Sequence, residues 1–415
     1  MEFGLIGEHI SHSYSKNIHE SLSHYPYEIC DINESELSYL LKARKFKGLN
    51  VTIPYKEKVI EYLDYIDDCA KAMHSVNTIV NKNGKLYGYN TDMYGVIETF
   101  NHFNVNVSGK NVVILGTGGA SKMLVYTLNK LGAKQITTIS RTNNGTDIYT
   151  NIYKYYENTD ILINATPNGM YKRECTDLVD LSKFKNLVLV FDLIYNPLNT
   201  KLLVDARKLG IKAINGMYML IAQAIKAMEY FRGEKVSKDK VDAYFNKLTK
   251  EKLNLVLIGM PTSGKSTIGK TLSTKLNKEF IDIDSYIENK YGISIGDYIR
   301  EKGEKAFREI ETMSIKEIKD YSSSIISTGG GVVLNEENID YLRQNGIIIF
   351  INRSLDKLFP SSDRPLSSDK LSLETKYNER IDLYKKYADY IIDNNKNIDD
   401  STYDIVRLYN EIICD

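Results

Sequence analysis

Nine residues, GMPTSGKST from Gly259 to Thr267, set two glycines, a lysine and a hydroxyl residue in the order G-x-x-x-x-G-K-[S/T]. The apolar run before them reads as a strand, and the spacing of IGKTLSTKLN after them as a helix. In that setting backbone N–H groups cradle phosphates and the helix N-terminus adds positive charge. Lys265 would reach the β and γ phosphates, and Ser266 would offer its hydroxyl to Mg²⁺. Gly259, Thr262, Ser263, Gly264, Lys265, Ser266 and Thr267 are the candidate contacts to ATP. The loop implies nucleotide binding and leaves the acceptor open.

Downstream chemistry narrows the acceptor. Asp282 and Asp284 stand two apart at an expected strand end, so both carboxylates would face one side. Arg308 lies in GEKAFREIE, TGGG at 328–331 permits close backbone approach, and Arg364 sits in a Ser-rich segment suited to a lid. Together they suit a kinase for a carboxylate-bearing small molecule.

A second glycine turn, GTGGAS from Gly116 to Ser121, follows the β-branched run from Val112 to Leu115 and precedes a helical pattern. Gly116 and Gly118 match the first two glycines of a dinucleotide turn, with Gly119 and Ala120 between, and Ser121 stands where a third glycine would be. About 20 residues on, where an acid would mark NAD, the chain has Ser140, Arg141 and Thr142. A guanidinium there suits the 2′-phosphate of NADP.

The elements that must position these residues alternate. Strands are expected at 135–140, 160–166 and 187–193, with helices between, which implies a parallel sheet. A further α/β unit restarts at 253, after a lysine-rich helix carrying Val241, Tyr244, Phe245 and Leu248 at helical spacing. The expected class is α/β: a substrate domain over 1–101 and 216–248, a Rossmann NADP domain over 102–215, a linker at 249–252, and a P-loop domain over 253–415 of the 415 residues.

From 253 onward, the phosphate loop, D-x-D, F-R-E-x-E, TGGG, R-P-L and ERIDLYKKYA occur in the order of shikimate kinase, which this part resembles. The resemblance implies that Asp282 supports Mg²⁺ and that Asp284 holds and deprotonates the acceptor hydroxyl. It implies that Arg308 and Arg380 bind the substrate carboxylate, Gly330 and Gly331 touch substrate through backbone, and Arg364 closes with the lid. The arginines usual around R-P-L are sparse here, with serines in their place.

Residues 1–248 resemble shikimate dehydrogenase through HSYS (12–15), NVTIPYKE (50–57), VNTIV (76–80), YNTDMYG (89–95), NATPNGM and NGMYMLIAQA. The resemblance implies Ser13 and Ser15 on the substrate carboxylate and Thr52, Asn77, Asn90 and Gln223 on the ring oxygens. Lys56 and Asp92 would be the catalytic pair, and Tyr195 and Met217 would line the substrate and nicotinamide cleft. Lys16 replaces the proline usual after the serines, and Asn143, Asn144 and Gly145 follow Arg141 where a further basic residue often sits.

Both resemblances imply NADPH-dependent reduction of 3-dehydroshikimate to shikimate, then phosphorylation of shikimate with ATP and Mg²⁺. The alternative is a quinate/shikimate-type dehydrogenase whose kinase half only binds nucleotide and regulates. Lys+Arg equal Asp+Glu at 54 each, which gives no footprint for nucleic acid or an anionic membrane. The start lacks a signal-peptide pattern and no stretch nears ~18 apolar residues, so a cytoplasmic protein, with homo-oligomerisation open, is expected. Four scattered cysteines suggest neither disulfides nor a zinc site.

Overall fold

The computed structural model describes residues 1–10, 13–23, 25–142, 144–171, 178–360 and 369–412. Among the described residues three six- or five-stranded sheets carry the α/β architecture that the sequence implies.

The first sheet holds β1 (Phe3–Gly7), β2 (Glu28–Asp31), β3 (Gly48–Val51), β4 (Tyr65–Ile66), β5 (Thr78–Lys82) and β6 (Lys85–Tyr89) in the order β2-β1-β3-β5-β6-β4. β1 pairs in parallel with β2 and β3, whereas β5 runs antiparallel to both β3 and β6. The connections carry α1 (Ser15–Ser23), α2 (Glu34–Ala43) and α3 (Asp68–Met73), and α4 (Asp92–His102) follows the last strand.

β7 (Asn111–Leu115), β8 (Gln135–Ser140), β9 (Asp147–Ile148), β10 (Ile161–Asn164), β11 (Leu189–Asp192) and β12 (Lys212–Ile214) form the second sheet, in the order β12-β11-β10-β7-β8-β9. All of its pairings are parallel. Its central strands β7, β10 and β11 are buried on both faces and so read as largely apolar runs rather than alternating ones. α5 (Gly119–Lys130) and α6 (Lys201–Lys208) belong to it. The chain reverses its direction of travel across the sheet between β7 and β10, the crevice where open α/β sheets bind ligands. Next, α7 (Met217–Arg232) returns to pack on α4 and α1, followed by α8 (Lys238–Lys252).

The third sheet, all parallel, is β13 (Asn254–Ile258), β14 (Glu279–Asp282), β15 (Ser324–Ser327), β16 (Gly346–Asn352) and β17 (Tyr390–Asp393), in the order β14-β15-β13-β16-β17. Around it lie α9 (Lys265–Leu276), α10 (Ile283–Tyr291), α11 (Ile295–Lys302), α12 (Glu304–Ile318), α13 (Glu336–Arg343), α14 (Lys370–Tyr387) and α15 (Ile398–Glu411).

Two expectations are corrected. Residues 249–252, read as a linker, are the last turn of α8, because Lys278 caps that turn by donating to the carbonyls of Lys250, Glu251 and Leu253 at 3.2, 3.0 and 2.9 Å. The strand expected to carry both Asp282 and Asp284 ends at Asp282, whose carboxylate caps α10 by accepting from the Ser285 amide at 3.2 Å. Asp284 therefore occupies the first helical turn. No helix among the described residues is long and apolar enough to cross a membrane.

Candidate active sites

The first site sits where β3, β5 and β6 of the first sheet deliver their ends to α4. Lys56 Nζ donates to Asp92 Oδ2 at 2.6 Å, and the other carboxylate oxygen accepts from Asn77 Nδ2 at 2.9 Å. Asn77 Oδ1 in turn accepts from the Thr91 amide at 2.8 Å. Asn90 Oδ1 accepts from the Asp92 amide at 3.0 Å, which fixes the start of α4, while its Nδ2 donates to the Ser75 carbonyl at 2.9 Å. Thr91 Oγ1 donates to Gln223 Oε1 at 3.3 Å, which brings in α7. A side chain at Gly95 would meet the Met219 carbonyl at 2.7 Å, so glycine is what lets α4 and α7 approach closely enough for that bond. The network brings together Lys56, Asn77, Asn90, Asp92 and Gln223, five residues scattered over 168 sequence positions.

Ser13, Ser15, Tyr14 and Tyr195 form a second group. Ser13 Oγ donates to Ser15 Oγ at 3.1 Å and accepts from the Ser15 amide at 3.2 Å, and the Tyr14 and Tyr195 rings meet edge to face at 5.7 Å. Thr52 closes β3, its amide donating to the Ile6 carbonyl at 3.0 Å, four residues before Lys56. The Met217 side chain, at the start of α7, is fully buried with Ile18, Leu198 and Ile221.

At the crevice of the second sheet, Gly116 has φ +107° and would press a side chain on Thr166 and the Ala165 carbonyl. Gly118 and Gly119 open α5, and a Cβ on either would meet nothing within 4 Å. Their amides and the positive helix end are accessible, which fits a pyrophosphate. Ser121 is buried in α5, a small residue where helix and sheet pack closely. Ser140 Oγ holds the turn after β8 through the carbonyl of Thr142, and Arg141 and Thr142 are exposed there, a placement that fits a ribose phosphate.

In the third sheet the phosphate loop leaves the central strand β13. Gly259 has φ +148° and Gly264, which caps α9, has φ +97°. Lys265 Nζ, nearly buried, donates to the carbonyls of Gly259 and Met260 at 2.9 and 2.8 Å. Ser263 is fully buried, with no hydrogen-bond partner for its hydroxyl among the described residues, and Thr267 is exposed. Ser266 Oγ donates to Asp282 Oδ2 at 2.7 Å. That pairing of hydroxyl and carboxylate at a helix N-terminus is a hard-oxygen donor set fitting Mg²⁺ that keeps several waters.

Beside this loop, Arg308 donates to Glu304 Oε1 at 2.8 Å and to Glu311 Oε2 at 2.9 Å. Its guanidinium covers Gly331, where a Cβ would collide with it. A Cβ on Gly329 would lie 2.9 Å from both Asp284 Oδ1 and Glu311 Oε1, so Asp284 and Glu311 flank the same glycine run. Arg380, 3% exposed, donates to the Gly330 carbonyl at 3.2 Å, and so does the Tyr384 hydroxyl. Burial pushes the Glu311 carboxyl up, and the Arg308 guanidinium offsets part of that rise. The sequence reading missed Glu304, Glu311 and Tyr384. Their i, i+3 and i, i+4 relations to Arg308 and Arg380 were the available signal. Arg364 lies outside the described residues.

The comparisons with known proteins divide at the same place as the sheets. Over an alignment of 264 positions that covers 59% of this chain and 97% of the other, the chain is 38% identical to shikimate dehydrogenase (NADP(+)) from Clostridium perfringens. This chain belongs to the shikimate dehydrogenase family. The shikimate dehydrogenase substrate binding domain matches residues 5–79, and the shikimate kinase family matches residues 261–410. Shikimate dehydrogenase 1 from Peptoclostridium difficile superposes with TM-score 0.55 at 37% identity, covering 60% of this chain and 98% of that one. A chorismate mutase/shikimate 5-dehydrogenase fusion from Clostridium acetobutylicum superposes with TM-score 0.57 at 33% identity, over 59% of this chain and 96% of that one. The chain is thus a dehydrogenase half joined to a kinase half, and the Lys56–Asp92 network lies in the first while the phosphate loop and the arginine pair lie in the second.

Proposed function

We propose that the protein catalyses two successive reactions: reduction of 3-dehydroshikimate to shikimate, then phosphorylation of the hydroxyl just made. When bound, NADPH supplies the hydride, and ATP with Mg²⁺ supplies the phosphoryl group. The Lys56–Asp92 pair, its carboxylate held by Asn77, carries the reading.

In the dehydrogenase half, the Lys56 ammonium donates to the carbonyl oxygen and gives it a proton as the adjacent carbon is reduced. Asp92 orients the ammonium, Asn77 keeps the carboxylate from rotating away, and Asn90 fixes the Asp92 backbone at the start of α4. Ser13 and Ser15 take the substrate carboxylate, while Thr52, Asn77, Asn90, Gln223 and Tyr195 supply hydrogen bonds to the acid and its ring oxygens. Gly116, Gly118, Gly119, Ala120 and Ser121 hold the pyrophosphate, and Ser140, Arg141 and Thr142 the ribose phosphate.

In the kinase half, Arg308 and Arg380 bind the carboxylate of shikimate in a bidentate manner that suits guanidinium groups. Asp284 accepts the proton of the attacking hydroxyl. Lys265 exchanges its two loop carbonyls for phosphate oxygens, Ser266 and Asp282 hold the metal, and Gly330 and Gly331 bring backbone against the acceptor. A cytoplasmic location, where NADPH and ATP are both at hand, belongs to the same proposal.

The test is to incubate purified protein with 3-dehydroshikimate, NADPH, ATP and Mg²⁺, following NADPH absorbance and identifying products by mass. Shikimate 3-phosphate is expected. Shikimate alone would remove the kinase assignment, and an unchanged NADPH signal would remove the dehydrogenase assignment.

A further inference from the structure

The passage from α8 into β13 lies against the dehydrogenase half's serine loop. Lys252, the last residue of α8, donates a hydrogen bond to the Tyr14 hydroxyl, and its ammonium sits 3.9 Å from the centroid of the Tyr14 ring. Tyr14 stands between Ser13 and Ser15, and its ring also meets the edge of Tyr195, from the loop after β11. Three segments therefore meet at one ring: the serine loop, the loop after the second sheet's β11, and the junction with the kinase half.

Kinase-half residues hold that junction in place. Lys278 donates to the carbonyls on both sides of Lys252, at 3.0 Å to Glu251 and 2.9 Å to Leu253. The Tyr409 hydroxyl donates to the Lys250 carbonyl at 2.9 Å. Tyr14 and Tyr195 pack against a core that contains Leu248 and Leu253, and Ile347 and Ile412 of the kinase half pack on the same core. Burial draws the Lys252 ammonium down only to about 8, so at neutral pH it is still mostly the cation that a ring face and a hydroxyl attract.

We propose that Lys252 is a positioning residue of the dehydrogenase, fixing the serine loop through Tyr14, so that the kinase half completes the substrate-carboxylate site of its neighbour. The inference rests on reading Ser13 and Ser15 as the carboxylate contacts. Holding the Tyr14 ring holds the backbone on which both hydroxyls are mounted. Without Lys252 that loop samples other conformers, and the loss falls on substrate binding rather than on hydride transfer, because Lys56 and Asp92 are anchored separately by Asn77.

The experiment uses the full chain with Lys252→Met, Lys252→Arg, Tyr14→Phe and the Lys252→Met/Tyr14→Phe double variant. Lys252→Met should raise KM for 3-dehydroshikimate about three- to tenfold, with kcat and the KM for NADPH within about twofold of wild type. Phosphorylation kinetics should not move, and Lys252→Arg should stay close to wild type. Tyr14→Phe should raise the same KM, but add little once Lys252 is methionine. An unchanged KM in Lys252→Met, a loss confined to kcat, or additive effects in the double variant would overturn the proposal. If Lys252→Met does not fold, an unchanged KM in Tyr14→Phe would overturn it as well. Wild-type protein inactive on 3-dehydroshikimate would instead remove the functional reading beneath it.

Discussion

Lys56 and Lys265 do different work in similar settings. Each ammonium is held by oxygen atoms of its own neighbourhood, a carboxylate for Lys56 and two loop carbonyls for Lys265, and each is aimed before any substrate arrives. Lys56→Ala should lower reduction by a factor on the order of 10²–10⁴ and leave phosphorylation intact, and Lys265→Ala should do the reverse, as separate assays on each purified variant would reveal. Loss of both activities in either variant would contradict independent chemistry. A third buried charge acts on stability instead. Asp192 closes β11, accepting from Asn164 at 3.0 Å, from the Ile194 amide at 3.0 Å and from Thr200 at 2.6 Å. Burial pushes its carboxyl up from 3.8 to about 6, and those three bonds offset part of the rise. A folded-state pKa above the unfolded one means that the protonated group's stabilisation is complete below about pH 4 and is lost as pH rises through about 6. By pH 7 the ionised group should cost about 3 kcal/mol relative to its protonated state. Asp192→Asn cannot ionise, so its stability relative to wild type should improve between pH 4.5 and 7 in urea unfolding, and a constant difference would contradict this account.

The glycine run after β15 and the helix α12 depend on one another. Arg308 is set by Glu304 and Glu311 on its own helix, and its guanidinium then covers Gly331. In Gly331→Ala the new methyl group would meet the movable end of a side chain rather than backbone, so the fold should survive and Arg308 should shift. The expected result is a KM for shikimate raised about tenfold in the kinase assay, the scale of one charge-assisted hydrogen bond, with the KM for ATP unchanged. A matching rise in the KM for ATP would place the disturbance in the phosphate loop instead. The contrast between this pair and its neighbours marks how far sequence reading reached. β8 was expected over 135–140 and occupies those residues, because its run of β-branched side chains is bounded on both sides by turn residues. The phosphate loop could be read for a similar reason, since local spacing alone sets it. Asp284 could not be placed correctly, because the alternation of a strand was assumed past Asp282, where a cap bond to Ser285 had already started a helix. The last turn of α8 was missed because its carbonyls are capped by Lys278 and Tyr409, residues 25 or more positions away that no local pattern announces. The burial of Met217 was not legible, because an apolar residue after a glycine looks the same whether it lines a cleft or fills a core.

The two enzymatic halves meet over more than the junction at Lys252. The loop after β11 presents Leu198 and Asn199 to the turn between α13 and β16, where Asn345 Oδ1 accepts from the Leu198 amide at 2.9 Å and the Gln344 carbonyl accepts from the Asn199 amide at 2.7 Å. Lys208 on α6 reaches Glu336 and Asp340 on α13 at 2.8 and 2.5 Å. Those ion pairs are partly solvated and contribute modestly, whereas the Leu198 amide is buried and has no water to fall back on. Removing the partner of a buried amide costs about 1–3 kcal/mol, so Asn345 should matter more to the docking than Lys208 does. In Asn345→Ala, hydrogen exchange at Leu198 should accelerate by roughly one to two orders of magnitude, while Lys208→Met should change it by less than about threefold. Asn345 also donates to the Lys319 carbonyl at 3.0 Å inside the kinase half, so exchange across β13 and β16 has to be followed in the same sample. Acceleration at Leu198 beyond that of β13 and β16 would establish an interface held by a few buried hydrogen bonds. Equal acceleration everywhere would mean that Asn345 supports the kinase fold and that the two halves are held mainly by the apolar contacts around Leu253.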